Sequence, residues 1–127
     1  MNILNKSSFT TTREKIATIS AATGVVAHNY NSAQVFYHTA PAADFTVNIT
    51  NMDTASSYVY TVSVVVVQGA TPRVPTALQI DGVATTVNYS AGTAFSSSNA
   101  NGVDVFVYNL FRIGSSWTVI ANEADYS

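Results

Sequence analysis

The chain has 127 residues and a mass of 13.5 kDa, enough for one domain around one core. Only 9% of its residues are charged and the net charge is −2, with five Lys and Arg. That argues against a nucleic-acid binder, which needs a basic stripe, and against a polybasic membrane-surface protein. Ser, Thr and Asn supply 41 of the 127 residues, so the expected surface is neutral and rich in hydroxyls and amides. Cysteine is absent, which removes disulfide frameworks and thiolate metal sites.

Met1 to Glu14 is polar and reads as an N-terminal arm that orders on a partner, with Asn2, Ile3, Leu4 and Phe9 as its candidate contacts. The first eight residues hold one Lys and no apolar stretch, so no secretory signal is expected. No apolar run approaches the roughly 18 residues of a membrane span. The expectation is a soluble protein made in the cytoplasm, with one domain over residues 15–127.

From Lys15 onward the pattern is β. Ile16 to Ile19 and Gln34 to His38 are short β runs. Phe45, Val47 and Ile49 alternate with Thr46, Asn48 and Thr50, the period of a half-buried strand. Tyr58 to Val67 is β-branched or aromatic at almost every position, which suits a central strand or one that enters an interface. Pro72 and Pro75 frame a loop over Gly69 to Thr76. Asp81-Gly82 joins Ala77–Ile80 to Val83–Tyr89 as a hairpin, because both turn residues must take positive φ. Ser90 to Gly102 is a long loop, and long loops in small domains often carry function. Gly114-Ser115 joins Asp104–Ile113 to Ser116–Ala121 as a second hairpin. No helical periodicity and no internal repeat is found. The pattern predicts an all-β protein, an antiparallel β-sandwich of jelly-roll or Ig-like type with about seven or eight strands.

Candidate chemistry is sparse. His28 and His38 are the only imidazoles; on paired strands they could share a face and bind a metal with Asp44 or Asp53. The plainer reading is hydrogen-bonded strand histidines, and no metal site is assigned. The fourteen serines sit in no Gly-x-Ser-x-Gly elbow, so no nucleophile is assigned. The acids Glu14, Asp44, Asp53, Asp81, Asp104, Glu123 and Asp125 are scattered, and Asp81 is explained by its turn. The glycines are isolated in turns and form no phosphate loop, so no cofactor is expected. Most aromatics fall in strands as core or interface residues. Tyr30, Tyr89, Phe95 and Tyr126 lie near loops or ends and are the better candidates for touching a partner. On the long loop, Tyr89, Phe95, Asn99 and Asn101 are the candidate contacts.

Three strings carry a family resemblance: Phe36-Tyr37-His38-Thr39-Ala40-Pro41-Ala42-Ala43-Asp44-Phe45; Gln68-Gly69-Ala70-Thr71-Pro72 followed by Leu78-Gln79-Ile80-Asp81-Gly82-Val83; and Asn99-Ala100-Asn101-Gly102-Val103-Asp104-Val105 followed by Arg112-Ile113-Gly114-Ser115-Ser116-Trp117. In this order they resemble a domain of virion structural and tail-fibre-like proteins of tailed phages infecting marine cyanobacteria, over roughly Lys15 to Ile120. Tyr89-Ser90-Ala91-Gly92 stands where that family often has Trp followed by Gly-Gly. The resemblance implies a non-enzymatic virion protein assembled in the host cytoplasm. The expected role is a capsid decoration or cement protein, binding the major capsid protein or other virion proteins as a homotrimer or homodimer. The alternative is a tail or fibre-tip component that recognises a host surface glycan.

Overall fold

A computed structural model describes residues 10–96 and 99–127. Residues 1–9, with the candidate contacts Asn2, Ile3, Leu4 and Phe9, lie outside the described part. Residues 10–15 are without regular structure, and their side chains are exposed.

Among the described residues ten strands make two sheets. In chain order they are β1 Ile16–Ser20, β2 Gly24–Asn29, β3 Val35–Thr39, β4 Phe45–Thr50, β5 Tyr58–Val67, β6 Pro75–Ile80, β7 Val83–Thr85, β8 Val87–Tyr89, β9 Val103–Ile113 and β10 Ser116–Tyr126. Sheet A has the order β1-β3-β5-β9-β10-β8, and sheet B the order β2-β4-β6-β7. The only helical piece among the described residues is a single 3-10 turn, Ser90–Gly92.

The first six strands alternate between the sheets. β1, β3 and β5 pair in parallel in sheet A, and β2, β4 and β6 pair in parallel in sheet B. Each strand of one sheet is thus the crossover that a parallel pair in the other sheet requires. The second half is different. β9 pairs antiparallel with β5 and β10, and β6 with β7, while the short β8 lies parallel beside β10. The expectation of antiparallel sheets is therefore corrected: both sheets are mixed.

The reason lies at the corners. Ala21, Ala40 and Asn51 follow β1, β3 and β4 at φ of 51°, 44° and 57°. A left-handed residue turns the chain out of one sheet in a short step. Ala21 N–H then donates to Thr39 O at 3.1 Å and Ala40 N–H to Val67 O at 2.8 Å, so the parallel ladder runs on around the corner. The run predicted as one strand, Val83–Tyr89, breaks at Thr86: β7 stays in sheet B while β8 joins β10 in sheet A. The Asp81-Gly82 hairpin forms as predicted, with φ of 47° and 80°.

The core lies between the sheets. Sheet A contributes Phe36, Val62, Val64, Val66, Phe106, Tyr108, Leu110 and Val119; sheet B contributes Phe45, Val47, Ile49, Leu78 and Ile80. Burying such side chains stabilises by about 1.5–3 kcal/mol each. β5, β9 and β10 are ten or eleven residues long, while no strand of sheet B exceeds six. Sheet A therefore overhangs sheet B at its ends.

Candidate functional site

His28 and His38 meet, but across the sandwich rather than on paired strands. His28 is on β2 of sheet B and His38 on β3 of sheet A, both fully buried, with Nε2 atoms 2.8 Å apart. His28 Nδ1 lies 2.8 Å from Val26 O, so Nδ1 carries the proton and Nε2 is an acceptor. His38 must then donate from Nε2, which leaves its Nδ1 buried without a partner. Burial pushes both imidazoles down to about 4; the Val26 hydrogen bond opposes this for His28, and the neighbouring His28 adds to it for His38. Both rings are neutral at pH 7. His38 stacks on Phe45 with centroids 4.8 Å apart, and His28 meets Phe36 edge-on at 4.8 Å. The acids once paired with them are occupied elsewhere: Asp44 accepts Val74 N–H at 3.0 Å and Asp53 accepts Ala55 N–H at 2.9 Å. Among the described residues no group of three or more His, Asp or Glu could hold a metal ion.

The two loops singled out in the sequence adjoin at one end. Gln68 N–H donates to Gly102 O and Asn101 N–H to Gly69 O, both at 2.9 Å. Below them Gln68 and Asp104 are buried. The Gln68 amide donates to Asp104 Oδ2 and to Arg73 O, both at 2.7 Å, and accepts Arg73 N–H at 2.8 Å. This side chain ties the Pro72 loop to β9. Tyr89 and Phe95 point inward. Their rings touch at 5.0 Å, and Phe95 packs on Phe106 at 4.7 Å and Tyr108 at 5.8 Å. Each stays half-buried. Asn99 and Asn101 are exposed, and Asn101 takes the left-handed φ of 59° that closes the loop onto Gly69. Glu123 accepts Ser96 N–H at 3.1 Å. Burial raises its carboxyl above the ordinary range against that hydrogen bond, with Asp125 and Asp104 adding to the rise.

Two grooves remain. One, of about 320 Å³, is lined by Asn88, Asn109 and Asn122 with Tyr89, Ser90, Ile120 and Ala121. Its amides stand on the outer face of sheet A, while the Tyr89 ring turns to the inner side against Phe95. The other, of about 300 Å³, lies under the overhang, between Arg112 and Trp117 on sheet A and Ile80, Asp81, Val83 and Thr85 on sheet B. Arg112 stands over the Trp117 ring at 4.8 Å, and Tyr60 meets Trp117 at 5.9 Å. The Asp81 carboxylate is taken by the Asn51 and Met52 amides at 2.8 and 3.3 Å.

The largest feature is the outer face of sheet A. Along β5 and β9 the buried residues are the even-numbered ones, so Val59, Thr61, Ser63, Val65 and Val67 and Val103, Val105, Val107, Asn109, Phe111 and Ile113 face out. One row across the sheet reads Tyr37, Val65, Val105, Ala124; the next reads Thr39, Val67, Val103, Tyr126. β1 adds Ile16, Thr18 and Ser20, and β10 adds Thr118, Ile120 and Asn122. No outward position of sheet A is Asp, Glu, Lys or Arg. The outer face of sheet B is also uncharged, but β4 shows Thr46, Asn48 and Thr50 there. The sequence signal for the apolar face was the unbroken run Val64–Val67, which offers both faces of one strand.

No family model, curated protein or solved structure matches the chain.

Proposed function

We propose that the protein is a non-enzymatic structural component of a phage virion, most simply a decoration or cement protein on the outer capsid. The observation that carries this is the uncharged, valine-rich outer face of sheet A. An uncharged face whose central valines are half-buried and on which Tyr37, Val59, Phe111, Ile113, Ile120 and Tyr126 are exposed suits an association surface. The protein works mechanically in this reading: non-covalent sheet contacts and the N-terminal arm tie it to its own copies and to the major capsid protein. The fully buried, neutral histidine pair supports a structural role, since neither ring lines the two grooves. Of the finer fold types, jelly-roll or Ig-like, the antiparallel ribbon β5-β9-β10 is the part that supports them; the parallel-wound half speaks against both. The test is copy number in purified particles by quantitative mass spectrometry. Hundreds of copies in simple ratio to the capsid protein support the reading; absence from the particle overturns it.

A second reading is a tail or fibre-tip component that recognises a host surface glycan. The amide-lined groove favours it, because uncharged amides match sugar hydroxyls. A few to a few tens of copies per particle, with binding of the domain to host lipopolysaccharide that Asn88→Ala weakens, would support it. A blank glycan array would count against it.

A further inference from the structure

We infer that a second copy of this chain covers the outer face of sheet A, the two sheets packing face to face across a two-fold axis. Three observations carry this, and none depends on a virion. The first is charge. Each outward position of the six strands is neutral, so the face offers nothing to a charged partner, and its own copy meets it without repulsion. The second is shape. β-branched rows such as Val65–Val105 and Val67–Val103 stand side by side in register, with Tyr37 next along the first row and Tyr126 at the end of the second. Inner sheet faces pack through such rows at about 10 Å spacing. The third is area. At about 3.4 Å by about 4.8 Å per residue, the strands of sheet A lay out roughly 700 Å² of face, close to the ~800 Å² per partner of a standard interface. A two-fold interface is made by one patch meeting itself, so one sequence suffices for both sides.

The test is the mass of the purified full chain in solution, by sedimentation at about 10 µM, the weak end for interfaces of this area. The expected result is twice the 13.5 kDa chain mass. Val105→Lys places an unpaired ammonium in the middle of the interface and should weaken association at least about 100-fold. Tyr37→Glu, on another strand, should do the same. Thr46→Lys, on the outer face of sheet B, should leave the dimer intact. Circular dichroism and thermal melts show that each variant is folded before it is scored. A monomeric or trimeric wild type would overturn the inference. So would a dimer that survives both outer-face variants, or one that Thr46→Lys dissociates.

Discussion

The two faces of sheet A are built from nearly the same residues and do opposite things. On β5, Val62, Val64 and Val66 point into the core and are fully buried, while Val65 and Val67 alternate with them on the outside. What differs is the company they keep. The inner face mixes valine with large rings, Phe36, Phe106 and Tyr108, and its fully buried polar side chains meet specific partners: His38 against His28, Asp104 against Gln68. The outer face has β-branched residues, hydroxyls and amides with a few exposed rings, Tyr37, Phe111 and Tyr126, and no charge. The inner face is specified by fit to one partner already present. The outer face is uniform enough to meet a copy of itself.

The largest expected effect breaks the inner face. Both histidines have folded-state values depressed from 6.5 to about 4, so the unfolded chain binds protons that the folded chain refuses. The stability they protect is complete above about pH 6.5 and falls as pH drops toward 4. One proton accounts for roughly 3 kcal/mol by the lower limit. Denaturant midpoints at the two ends of that window check it, and His28→Phe/His38→Leu should flatten the slope. The outer face contains no carboxylate or imidazole. Association measured on the chain that remains folded should therefore stay constant across the same window.

Adjacent valines sharpen the comparison. Val64→Thr buries a hydroxyl in a core of hydrocarbon and rings and should cost about 1–3 kcal/mol of folding stability. Val65→Thr changes the same atoms on the other face and should stay within about 0.5 kcal/mol. Urea titrations of the two variants give the difference directly. Val65→Thr/Val105→Thr should instead weaken self-association by roughly tenfold, since hydroxyls at an interface centre lose part of their water. The smallest effect concerns the winding. Ala21→Gly relieves a left-handed alanine at φ 51° and should stabilise by up to about 1 kcal/mol, read as a small rise in Tm.

The strands of this fold were largely legible, because period-two patterning and the Asp81-Gly82 turn are local signals. The sheet pairing was not. β2 carries Gly24 and His28 in place of a clean alternation, and two of the three corners that send the chain between sheets rest on alanines, Ala21 and Ala40, which give no turn signal. The break at Thr86 is equally silent, since Val83–Tyr89 alternates without interruption. Of the candidate contacts, Tyr89 and Phe95 turn toward Phe106 and Tyr108, a packing that links residues distant in sequence. The interface hint in Tyr58–Val67 was readable from one strand alone. Its extension over β3, β9 and β10 required the register.

The most direct test of the central claim is the salt dependence of self-association. Sedimentation equilibrium of the wild-type chain between about 0.05 and 1 M salt screens ionic contacts and leaves apolar ones. An interface made by the outer face of sheet A predicts a dissociation constant that is unchanged or lower at high salt. A dimer that falls apart as salt rises would place the contact on the charged ends of the sandwich and contradict the account.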